Sequence, residues 1–220
     1  MVQNGNVESD AVLNCGELIF NYGYLNGLLE TTDEKNQIAE PAVLQPFVLM
    51  CHVTPTSIKG NQRFYQMLIN NTIETRNNKI LTYHNFVNEG ETSVKQFVNQ
   101  AELRKLLKQA NSDYKQLYHY SIDADTPKAK RLAILKYLDE CPDNEIVIVS
   151  SCKTISEGID IKSCNACMFV DVKTSPIEII QIIGRIVRKK QHDRPAAVIL
   201  PVFLDPGLGL DEQFNNQNNY

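Results

Sequence analysis

Several things are missing from this chain, and each absence excludes a function. Neither GxxxxGKS nor GxxxxGKT occurs in the 220 residues. The glycine-rich turn that cradles nucleotide phosphates, and the lysine that reaches them, are therefore absent. No apolar run approaches the ~20 residues needed to span a bilayer, so no membrane-spanning helix is expected. No signal peptide precedes the six cysteines, which points to a reducing compartment and free thiols. Cys164 and Cys167 form a CxxC, but no second CxxC or HxxxH pair accompanies it. A zinc site needs such a partner, so no metal is expected and the cysteines read as buried and inert. The formal charge is −4, which does not advertise nucleic-acid binding. Residues 151–194, however, hold eight Lys/Arg against five Asp/Glu. A basic cleft on an acidic body would suffice for phosphate contacts, which need only local charge.

What is present is a regular alternation of strand and helix signals. Strands are expected at 17–22, 46–53, 79–84, 116–121, 145–149, 166–172 and 195–203. Their apolar, β-branched runs suit a sheet buried on both faces. Between them fall a helical turn at 24–29, amphipathic helices over 58–77 and 91–109, and a helix that starts at Asp125-Thr-Pro127. This order predicts an α/β fold: a doubly wound, mostly parallel sheet flanked by helices. Residues 1–16 are polar and acidic, and 215–220 are polar and Asn-rich; both are expected to fray.

The most informative stretch is 145–190. A buried strand runs into Glu157-Gly-Ile-Asp160, and a second strand runs into Thr174-Ser-Pro-Ile-Glu178. Ser175 can cap the helix that follows, Pro176 occupies its first position, and Glu178 completes a capping box. On that helix Gln181, Gly184, Arg185 and Arg188 fall at i, i+3, i+4 and i+7, one face. Ile179, Ile182, Ile183, Ile186 and Val187 are expected to bury most of the rest. Arginine carries a fixed charge and a planar fork that grips phosphate oxygens, and Gly184 permits close approach. Lys189 and Lys190 read as helix-end cations that favour the dipole. His84 and Asn85 close the 79–84 strand at its carboxyl end, where open α/β sheets place ligands. For His84 a satisfied strand-end histidine is the alternative reading.

SEGID followed by QIIGRIVR resembles motifs V and VI of superfamily 2 helicases, in the variant of viral and restriction-translocase type. The similarity extends to TPKAKRLAILKYL, and to GELIFNYGYLNGLLE with QPFVLMCHV, which is similar to the passage from a first motor domain into a second. The resemblance implies that 1–44 is an extension from a preceding motor domain, 45–205 a RecA-like second motor domain and 206–220 a polar tail. It implies an ATP-dependent helicase whose nucleotide, with magnesium, is bound mainly by an N-terminal RecA-like domain outside this chain; these residues alone should not hydrolyse ATP. Arg185 and Arg188 would be arginine fingers, and Gln181 would position the γ-phosphate or the attacking water. Gly158, Asp160 and Gly184 would border the nucleotide. His84, Asn85 and the loop Ser151, Cys152, Lys153, Thr154 would track DNA or RNA. Asp139-Glu140 imitates the acidic motif but ends a helix before Pro142, and reads as surface charge. The expected location is intracellular: cytoplasm, nucleoid or viral factory. The alternative function is a non-catalytic nucleic-acid-binding or docking module of the same fold.

Overall fold

The computed structural model describes residues 47–55, 60–152, 163–173, 175–187 and 195–204. The expected strand at 17–22 and helical turn at 24–29 lie outside them. The described chain runs β1 (Phe47–Pro55), α1 (Gln62–Thr75), β2 (Lys79–His84), α2 (Val94–Phe97), α3 (Gln100–Gln109), β3 (Gln116–Ile122), α4 (Lys128–Glu140), β4 (Glu145–Cys152), β5 (Ala166–Phe169), α5 (Pro176–Ile186) and β6 (Ala196–Leu204).

All six strands form one parallel sheet in the order β1-β6-β5-β2-β4-β3. Parallel neighbours need a crossover, and helices on both faces cover the sheet. The pleat sorts side chains accordingly. Ile80, Ile146, Ile148, Ala166, Met168, Ala197 and Ile199 pack with α1, α2 and α3. Their neighbours Leu81, Val147, Val149, Cys167, Phe169, Ala196 and Val198 pack with α4 and α5. Each fully buried Val, Leu or Ile stabilises the fold by about 1.5–3 kcal/mol relative to exposure. The four described cysteines, Cys141, Cys152, Cys164 and Cys167, are buried, and burial pushes the Cys141 thiol up to about 11.

Four expectations change in detail. The helix expected over 91–109 is two helices, because the Asn99 side chain accepts the Glu102 N–H at 3.1 Å and starts α3 afresh. The strand expected over 166–172 stops at Phe169, and the Asp171 carboxylate beyond it accepts bonds from the loop after β2. β4 continues through Cys152 instead of ending at Val149, since β3 and β2 flank it to Ser151 and Cys152. Asp139 is only partly a surface charge. One of its carboxylate oxygens is buried without a partner among the described residues, whereas Glu140 is exposed.

Candidate functional site at the carboxyl edge of the sheet

The helix that carries Gln181, Gly184 and Arg185 begins as its sequence demands. Ser175 Oγ accepts the Glu178 N–H at 3.4 Å, and Pro176 takes the first position. The reciprocal half of the capping box is not what Glu178 does: its carboxylate pairs with Lys173 Nζ at 3.1 Å. Lys173 is a buried cation, with 4% of its side chain exposed, and also donates to the His84 carbonyl at 3.3 Å. This one side chain joins the end of β2 to the first turn of α5.

α5 is not buried nearly all round. Ile182, Ile183 and Ile186 face the core, but Ile177 is 69% and Ile180 39% exposed. With Gln181 and Gly184 they form an open face, because α4 and the sheet cover only the other side. Arg185 lies half-buried at the margin of that face, close enough to lower the pKa of Tyr83 against the larger upward push of burial. A methyl group added at Gly184 would meet nothing within 4 Å. No packing inside the described chain therefore requires glycine there. Arg188, Gly158, Asp160, Lys153 and Thr154 lie outside the described residues.

On the opposite face, the strand ends hold a chain of buried polar side chains. His84 Nδ1 lies 2.6 Å from the Thr92 carbonyl and Nε2 lies 2.9 Å from Thr82 Oγ1. Thr82 Oγ1 is 2.7 Å from Ser150 Oγ, which is 2.7 Å from His119 Nε2. A carbonyl only accepts, so the proton of neutral His84 sits on Nδ1 and Nε2 is an acceptor. Thr82 must then donate to His84, Ser150 to Thr82, and His119 Nε2 to Ser150. The whole chain has one proton order, from β3 through β4 and β2 to the loop. His119 Nδ1 is left as a buried lone pair without a partner among the described residues. Phe97 closes the site from α2, with ring centroids 4.7 Å from His84 and 5.7 Å from His119. Burial lowers His84 to about 4, against a smaller upward pull from the Thr92 carbonyl and Asp171. Burial, and then His84 itself, lower His119 to about 3.

These positions revise the expected nucleic-acid contacts. His84 is fully enclosed with both ring nitrogens engaged, so the strand-end reading holds and it cannot present its ring to a phosphate. Ser151 and Cys152 are buried strand residues and not part of a surface loop, because paired strands continue on both sides. Ser151 Oγ has no partner among the described residues, and Cys152 Sγ donates to the Asn85 carbonyl at 3.1 Å. Asn85 is partly exposed, and its amide donates to the Val172 carbonyl at 3.2 Å. Asp171 and Lys173 were missed as site residues. The signal was Asp-Val-Lys directly after an apolar run, but its meaning depends on β2 ending beside it. Among the described residues no three His, Cys, Asp or Glu side chains gather where they could hold a metal ion.

Comparison with known proteins gives the chain its family. The family model of the helicase conserved C-terminal domain matches residues 62–190, more than half of the sequence. The chain belongs to that family. The probable helicase A859L of African swine fever virus is 28% identical over 99 residues, which are 44% of this chain and 12% of the relative. The chain thus spans only a small part of that relative's length. Among solved structures, the ATP-dependent type ISP restriction-modification enzyme LlaBIII bound to DNA aligns with a TM-score of 0.57 and 20% identity. That alignment covers 76% of this chain and 12% of the enzyme. A fragment assigned to an HsdR subunit of a type I restriction enzyme from Vibrio vulnificus YJ016 aligns at 0.51 and 17%, covering 72% and 32%. At these identities the structures speak for the shared fold.

Proposed function

We propose that this chain is the second motor half of an ATP-dependent helicase or translocase acting on DNA or RNA. It would complete, from one side, a nucleotide site whose phosphate-binding loop and magnesium ligands belong to another domain. The observation that carries this reading is the open face of α5. Gln181 is exposed, Gly184 has free space above it and Arg185 stands beside it, while the opposite face of the same helix is core. These residues suit half of an ATP site: Arg185 and Arg188 would hold charge on the transferring phosphoryl group, and Gln181 would orient its neighbours. ATP bound with magnesium would supply the scissile phosphoanhydride. Closing and opening against the other domain would couple its hydrolysis to movement along a strand, gripped by the loops at the carboxyl edge. The restriction-modification enzyme LlaBIII, similar in fold and bound to DNA, supports a nucleic-acid track.

The test is arginine substitution in the longer protein that contains the upstream phosphate-binding domain. Arg185→Ala and Arg188→Ala should each lower ATP turnover on the order of 10³–10⁵-fold, about 4–7 kcal/mol of barrier. Arg185→Lys should stay severely impaired with an unchanged melting temperature, because lysine keeps the charge and loses the fork. The 220 residues alone should not turn over ATP. An alanine variant that keeps near wild-type turnover, or loses it only by melting many degrees lower, would remove that arginine from the finger role.

A further inference from the structure

The first turn of α5 is fastened to the sheet by one cation. Lys173 Nζ lies 3.1 Å from Glu178 Oε1 and donates to the His84 carbonyl at 3.3 Å. Its side chain is 4% exposed, that of Glu178 28%. Burying a lysine for one partly exposed carboxylate is a poor way to gain stability. Desolvation offsets much of the attraction, and an apolar side chain of similar volume often does as well. What the pair adds is direction. Ile182, Ile183 and Ile186 hold α5 to the core, but apolar contact is non-directional. On the outer side Ile177 and Ile180 are exposed. The position of the pair on the helix then matters. Glu178, Gln181 and Arg185 fall at i, i+3 and i+7, one row about 10 Å long. A bond that fixes the Glu178 carboxylate therefore fixes the rotation of that row about the helix axis. On the strand side, the same lysine holds the carbonyl of His84, whose ring is fixed by Thr92 and Thr82. Asp171, two residues before Lys173, accepts the Asn85 N–H and the Thr92 hydroxyl, both at 2.7 Å. The clamp is thus footed on the end of β2 and on the loop that follows it.

We propose that Lys173 is a positioning residue for ATP turnover: through Glu178 it sets the rotation of α5, so that Gln181 and Arg185 face the nucleotide. This rests on the ATP-dependent function proposed above. Lys173 touches no nucleotide in this role. It acts through the helix, which transmits the setting of its first turn to Arg185 because the turns between are held by Ile182 and Ile183.

The test takes two readouts on Lys173→Met, which fills similar space without the charge. Hydrogen exchange on this chain reads the clamp without ATP. The Glu178 and Ile179 amides, bonded to the Ser175 hydroxyl and carbonyl, should exchange faster. The Val187 amide, on the Ile183 carbonyl at 3.1 Å, should not change, because the helix stays folded. In the longer protein with the upstream phosphate-binding domain, kcat for ATP should fall on the order of 10- to 100-fold, the scale of a misplacement of about 1 Å. KM for ATP and the melting temperature should hold. Glu178→Gln should lower kcat in the same way. The double variant should lose no more than Lys173→Met alone, since one link is broken once. Unchanged exchange in the first turn of α5 overturns the clamp. Faster exchange with wild-type kcat, or turnover lost only in step with melting, makes the lysine structural and overturns the positioning role. Additive losses in the double variant remove Glu178 as the link and overturn it too. If the wild-type longer protein turns over no ATP, the function proposed above falls, and this role falls with it.

Discussion

At the amino ends of the strands, Asn77, Asn78, Lys79 and Asn165 are all buried. Asn78 donates to the carbonyls of Pro142 and Glu145 at 3.0 and 2.6 Å, and accepts from Asn165 at 3.3 Å. Asn165 in turn accepts the Lys79 N–H at 2.9 Å, Asn77 donates to the Pro195 carbonyl, and Lys79 Nζ donates to the Asp139 carbonyl. At the carboxyl ends, the polar chain runs instead from side chain to side chain through two imidazoles. It supports the loop after β2, which leaves Phe86 in solvent and is bonded through Asn85 to the carbonyl of exposed Val172. The amino end uses amides and one lysine to satisfy backbone carbonyls, which seals it. The carboxyl end uses hydroxyls and imidazoles to hold exposed groups in place, which is the arrangement expected where parallel sheets bind ligands.

Acid should sharpen that contrast with the largest effect on stability. Both imidazoles are held below the ordinary value of about 6.5, at about 4 for His84 and about 3 for His119. Between those values and 6.5 the unfolded chain binds more protons than the folded one, so stability rises with pH. Their contribution is complete above about pH 6.5 and is lost as pH falls toward the folded values. From pH 7.5 to 5 the loss should reach up to about 4 kcal/mol for the pair. Asp171 and Lys173, the charges nearest His84, oppose each other and reduce the effect little. Urea midpoints at several pH values would measure it. A flat profile above pH 5 would mean that the imidazoles are not enclosed.

The amino end should show the opposite behaviour. Asn78→Ala strands buried carbonyls and the Asn165 amide, and should cost about 2–3 kcal/mol. The loss should not depend on pH between 5 and 7.5, and oligonucleotide affinity should stay unchanged once the protein is folded. A loss of affinity at temperatures well below melting would show that the two ends are coupled.

The smallest effect is the sharpest. Gly184→Ala introduces a methyl into open space and removes a helix-interior glycine, which should stabilise the chain by up to about 1 kcal/mol. If that face meets a nucleotide or a second domain, the same change should lower ATP turnover in the longer protein. Raised melting temperature with unimpaired turnover would show that nothing approaches Gly184.

Much of this was legible in the residues. The β-branched runs of β4 and the periodicity of α1 gave strands and helices at the right places, because strands buried on both faces need continuous apolar residues. Ser175 and Pro176 marked the start of α5 because capping is local chemistry. The shared face of Gln181 and Gly184, with Arg185 at its margin, followed from helical spacing. The α5 face was misjudged because the count of isoleucines does not say which of them a neighbouring helix covers.

The sequence by itself determined the element order, the parallel sheet and the family, since each rests on patterns within a few residues or on one linear motif. Only the tertiary structure decided which polar groups are partners. Thr82, His119 and Ser150 are far apart in the chain, and nothing in their local sequence joins them. The register of β2, β4 and β3 brings them within hydrogen-bond reach, and burial then fixes the direction of every proton between them. The same register enclosed His84, Ser151 and Cys152 and left Phe86 outside. Exposure at a strand end depends on which strands lie alongside, and the sequence does not record that.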